Sequence, residues 1–87
     1  MASIEEVKAA LAQAAEQGNS TLSQIQAAAN NAEQMLSRLR AVAAGTGHPK
    51  IAEAIARAEQ TKQQLAQAAA LIQGSSSAAR EYIGLLG

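Results

Sequence analysis

The chemistry-bearing residues are few and scattered. His48 is the only imidazole, and the chain contains no Cys and no Asp. A zinc site needs several N, S or O ligands together, and a nucleophilic relay needs an acid to orient its base. His48, in the run Gly47-His48-Pro49, has neither kind of company and reads as a turn residue. The seven Glu residues are spread at helical intervals, and Glu53 with Arg57 is an ordinary i,i+4 pair. Gly45-Thr46-Gly47 is too short to cradle a phosphate and follows no strand. Arg38 and Arg40 form the only tight basic pair, with no aromatic platform beside them for a base to stack on. Seven basic residues balance seven acidic ones, so no polybasic surface draws nucleic acid or anionic lipid. The expectation is therefore no enzyme, no cofactor, no metal and no nucleic acid. Protein contact is the class that survives.

The elements that carry these residues are legible from composition. In 87 residues there are 23 Ala and 10 Gln, against 18 Ile, Leu, Val and Met together, with one Tyr as the sole aromatic. A chain of this size makes one domain, here 1–87. No apolar run approaches the ~18 residues of a membrane span, so no membrane insertion is expected. The start, Met1 to Glu6, has neither the basic end nor the apolar stretch of a signal peptide, so the expectation is a chain cytoplasmic as made, its final location unknown.

Periodicity sets the architecture. Counting heptads from Ile4, the a positions run Ile4, Leu11, Gly18, Ile25, Ala32, Leu39 and the d positions Val7, Ala14, Thr21, Ala28, Met35, Val42. No charge interrupts these rows over six heptads. A second row runs Ile51, Ile55, Ala58, Lys62, Leu65, Ala69, Ile72, Ser76, Ala79, Ile83, Leu86. Steps of three and four at this spacing are the coiled-coil period. Ser3 with Glu6 reads as a capping box, Gly45 as the left-handed residue that ends a helix, and Pro49 as the first turn of the next. The sequence thus predicts helix 1 over about 3–44, a turn at 45–48 and helix 2 over about 49–85. A short turn between long helices makes them antiparallel neighbours. The fold class is an all-α, coiled-coil-like two-helix hairpin. Val7, Leu11, Ile25, Leu39, Ile51, Ile55, Leu65, Ile72 and Ile83 are its expected seam.

A fold point near residue 46 or 47 also predicts a register. Gly18 should lie level with Ser75 and beside Gly74, Arg40 should meet Glu53, and Glu33 should come near Lys62. The layer of Gly18, Gly74 and Ser75 has two readings: close packing through small residues, or a hinge, since Gly costs ~1 kcal/mol against Ala inside a helix. Lys62 in the core row likewise reads either as a side chain snorkelling to Glu33 or as a device that fixes register or oligomer state.

One hairpin is short of core. Two helices cover each aliphatic side chain only in part, and apolar residues remain over: Leu22, Ala29, Leu36 and Ala43 recur at sevens beside the first seam row, and Leu71 and Leu85 lie off the second. Leu22, Leu36, Leu71 and Leu85 are the expected partner contacts, and two hairpins pressed together would make a four-helix bundle. The alternative is a structural subunit that stacks by heterologous contacts into a larger assembly or filament.

Two long Ala- and Gln-rich helices with a Gly-containing turn in mid-chain resemble the WXG-type helical-hairpin proteins of type VII secretion. The resemblance covers the whole chain in architecture. Its turn reads Gly45-Thr46-Gly47 where the family has Trp-X-Gly, and Leu86 stands four residues after Tyr82 where the family's export tail has an acid. What the resemblance implies is a secretion-associated substrate or adaptor that dimerises with itself or a related hairpin. It further implies a larger secreted protein as a partner, and export without a cleaved signal, here on a tail-bearing partner.

Overall fold

The start of the first helix is fixed by a side chain. Ser3 is extended (φ −71°, ψ 163°) and its hydroxyl accepts the Glu6 amide hydrogen at 3.1 Å, satisfying one of the donors a helix leaves free at its N-terminus. Glu5 and Glu6 then lie in the first turn, where the helix dipole favours negative charge. In the computed structural model, which describes residues 2–86, α1 runs Ile4–Ala43 and α2 runs Pro49–Leu85. The chain is an all-α hairpin: two long helices side by side in a body 63 × 19 × 14 Å. Forty residues at ~1.5 Å each give ~60 Å, so α1 alone accounts for the long dimension.

The turn is built differently from expectation. Ala44 is right-handed and its amide bonds to the Arg40 carbonyl at 3.1 Å, while the Gly45 amide reaches the Val42 carbonyl at 2.9 Å. Gly45 does not adopt a positive φ, so its left-handed role is corrected: the last turn simply tightens to a three-residue bond. His48 supplies the start of α2. It is extended, and its Nδ1 accepts the Lys50 amide hydrogen at 3.1 Å, with Pro49 in the first helical position. The imidazole is therefore an N-cap. His48→Ala should cost about 1 kcal/mol, and His48→Asp, which offers an acceptor at the same place, should recover most of it. Urea melts of the two variants check this.

Helix α1 presents an edge of its stripe that the heptad count did not select. Its covered row alternates by four and three through Leu11, Ala15, Gly18, Leu22, Ile25, Ala29, Ala32, Leu36, Leu39 and Ala43. Ala15, Ala32 and Ala58 are buried, and Leu36 is fully buried. Leu36, expected at the partner contact, is thus a seam residue, and Leu22, four turns earlier in the same row, is half-buried. In exchange Met35 and Val42, taken from the d row as inward, are 47% and 49% exposed. The rotation is about 100° from the d row to its neighbour, enough to turn Leu22 and Leu36 in. Helix α2 keeps its expected row, with every residue from Ile51 to Leu86 in that series buried or half-buried. The nine expected seam residues are all half-buried.

Both helices run unbroken through the Gly- and Ser-rich layer. A Cβ on Gly18 would collide with Ser76 Oγ and sit 3.7 Å from Ser76 Cβ. Gly18 therefore packs against Ser76, one residue beyond the expected Ser75. Gly74 and Ser75 are exposed, and a Cβ on Gly74 would meet nothing within 4 Å. Gly18→Ala should fall short of the ~1 kcal/mol that helix propensity offers, because the Ser76 hydroxyl must swing away. Gly18→Ala with Ser76→Ala should collect the full gain, since the remaining carbon contact is of ordinary length. Thermal melts of the single and double variants decide it.

Candidate functional site

A two-helix ribbon has two broad faces, and here they differ in chemistry. One carries the inter-helix ion pairs. Arg40 Nη2 donates to Glu59 Oε1 at 3.1 Å, and Lys62 Nζ donates to the Glu33 carboxylate. Arg40 was expected against Glu53. That carboxylate is instead engaged within α2, by Lys50 Nζ at 3.0 Å and by Arg57 Nε at 3.2 Å and Nη2 at 3.1 Å. Local i,i+3 and i,i+4 partners are always within reach, so they win over a contact across the seam. Lys62 lies in the seam row with its head group carried out to Glu33, as the snorkelling reading has it. Between these charges and the open end lies a hollow of about 320 Å³ lined by Leu22, Ile25, Leu65, Ala69 and the Lys62 stem.

The Glu33 carboxyl is held below its ordinary value near 4.5, first by the hydrogen bond from Lys62 and then by that ammonium's charge, with a smaller pull from Arg40. A lowered folded-state value means the carboxylate's contribution is complete above the unfolded-chain value. It disappears as pH falls through the folded one. Glu33→Gln should therefore lose less stability than the native chain between pH 6 and pH 3, and be the weaker of the two at pH 6. Equal acid losses in urea titrations would contradict this.

The opposite face has no charge in its rows. It is made of the displaced d row of α1 (Val7, Ala14, Thr21, Ala28, Met35, Val42) and the matching row of α2 (Ala54, Thr61, Ala68, Ser75, Tyr82). Tyr82 is 50% exposed. Between Thr21 and Ser75, over Gly18, the surface dips into a hollow of about 330 Å³ floored by Ala15, Ile72 and Ser76. Leu71 and Leu85, the most exposed large aliphatic residues among those described at 75% and 82%, stand about 60° further round α2 from this row. Of the four expected partner residues, then, Leu71 and Leu85 are outside, Leu22 borders the ion-paired face and Leu36 is internal.

The α2 half of this uncharged face, Ala54 to Tyr82, lies off the expected row of that helix; the α1 half is the d row that heptad counting places inside. Its signal was present in the same letters: an uncharged row every seven residues serves an interface as well as a seam. Among the described residues no three His, Cys, Asp or Glu side chains gather into a metal-binding group, and no helix is long and apolar enough to cross a membrane. No protein-family model, curated protein or solved structure matches the chain.

Proposed function

We propose that the chain is a non-enzymatic protein-interaction module, a helical hairpin that works by pairing laterally with itself or a related hairpin into a four-helix bundle. The observation that carries this reading is surface. The hairpin exposes 6269 Å². A folded monomer of 8.9 kDa is expected to expose about 4,800 Å². The excess surpasses the ~800 Å² that one partner buries in a standard interface. The interior points the same way, because among the described residues one large side chain, Leu36, is fully buried.

Sedimentation equilibrium of the purified chain tests the proposal. A two- or four-fold mass at micromolar concentration, with a melting temperature that rises with concentration, is expected. A folded monomer at 100 µM would overturn it. The resemblance to WXG-type hairpins supplies a setting, a type VII secretion-associated substrate or adaptor for a larger secreted protein. Appearance of the chain in the medium of a host with that machinery, and its loss when the motor is disabled, tests the setting. A second reading, a subunit of an open helical assembly, draws on the exposed Leu71 and Leu85 at the edge of α2. Heterologous contacts there would give continuous growth in light scattering instead of a fixed mass.

A further inference from the structure

We infer that the occupant of the uncharged face is a second copy of this chain, laid face to face and antiparallel, with the two-fold axis crossing the Ala28 and Ala68 layer. This rests on the pairing reading above and adds to it the face, the partner and the register.

Area and charge both allow it. The ribbon's broad face, 63 by 19 Å, has a footprint of about 1,200 Å², more than the ~800 Å² a stable partner requires. With no side chain charged at neutral pH in either row, two identical faces meet without like-charge repulsion or a buried unpaired charge.

Register follows from what lies at equal distances from Ala28. One heptad toward the turn is Met35, 47% exposed; one heptad toward the open end is Thr21, at the rim of the hollow of about 330 Å³. Both intervals are about 10.5 Å at 1.5 Å per residue. A two-fold axis through Ala28 therefore sets each Met35 over the other copy's Thr21, with the flexible thioether against the hollow above Gly18. Two heptads out, Val42 falls over Ala14. On α2 the same axis through Ala68 sets Tyr82 over Ala54. Each large residue meets a small one, and the smallest side chains lie on the axis, where the backbones come closest.

The other two-fold arrangement, with the hairpins parallel, fails on the same residues. It places each helix over the partner's other helix at the same level, so the two hollows face one another and leave a shared void. Unfilled space of that size is strongly disfavoured in a packed interface.

The chain has no cysteine, so disulfide trapping reads the register directly. Ala28→Cys and Ala68→Cys each place a thiol on the axis, against its own symmetry mate and within the Cα separation of about 7 Å that a disulfide spans. Gln26→Cys places one on the ion-paired face. Under mild glutathione oxidation of the full chain, both axial variants should form covalent dimer at least tenfold faster than Gln26→Cys. Far-UV circular dichroism of the reduced variants checks folding, and either axial site suffices if the other is perturbed. A native chain that sediments as a dimer while neither axial variant links faster than Gln26→Cys overturns this register and leaves lateral pairing standing. A parallel dimer would give that result, because each axial thiol would then face the other position. A folded native monomer at 100 µM overturns both.

Discussion

Leu36→Ala is expected to remove about 3 kcal/mol of stability, the largest loss available from any single seam residue. Among the described residues Leu36 is the only large side chain with no solvent exposure, and truncating a fully buried leucine costs about 2.7–5 kcal/mol in lost transfer energy and cavity. A chain of this length has a total of only about 4–13 kcal/mol to lose. The variant should therefore melt well below the native chain when followed by circular dichroism at 222 nm. Leu71→Ala is the control: with 75% of that residue in water, the change should stay within about 0.5 kcal/mol. If the two leucines cost the same, the stripe of α1 has been assigned to the wrong edge.

Met35→Lys is expected to weaken self-association by about 100-fold while leaving helicity unchanged. In the single chain Met35 is 47% exposed, so an ammonium at its tip stays hydrated and the hairpin tolerates it. In the pair the same tip lies over the partner's Thr21, and two charges per dimer are withdrawn from water without counter-ions in the rows around them. A penalty near 2.7 kcal/mol is enough for two decades in the dissociation constant. Sedimentation equilibrium over a concentration series measures it. Gln26→Lys, on the ion-paired face, should leave the constant within about twofold. An equal effect from both lysines would point to net charge as the cause, independent of the face.

Most of the fold was legible because helix propensity, capping and the three-four rhythm agree. Ser3 with Glu6, Pro49 and the unbroken rows each say helix, and the two helices begin and end within a residue or two of those signals. The row of α2 was legible in full, since Ile51, Ile55, Leu65, Ile72 and Ile83 are bulky and lie on one stripe. Helix α1 was not, for a physical reason. With Ala at 14, 15, 28, 29 and 43, two adjacent rows are nearly equal in apolar content, and large residues are divided between them: Met35 and Val42 on one, Leu22 and Leu36 on the other. A stripe that wide fixes that a helix is amphipathic without fixing its rotation; the facing helix decides. That rotation turns the d row of α1 outward, where it joins a row of α2, Ala54 to Tyr82, that has too little apolar bulk to stand out in the sequence. His48 lies in the turn, as its place before Pro49 suggests, but its further role as an acceptor for the Lys50 amide depends on the backbone just before Pro49, which residue type alone does not specify.

The five-residue link between Ala43 and Pro49 has a kinetic corollary. Every pairing between the arms spans a sequence separation that grows steadily away from that link, so closure entropy is smallest beside it. Arg40 to Glu59 encloses the shorter loop and Glu33 to Lys62 the next. Folding should start at this corner and advance outward like a closing fastener, and amide protection should decline in the same order toward Leu11 and Ile83. The far tips open first, which makes them the cheapest place for an arriving partner to gain entry.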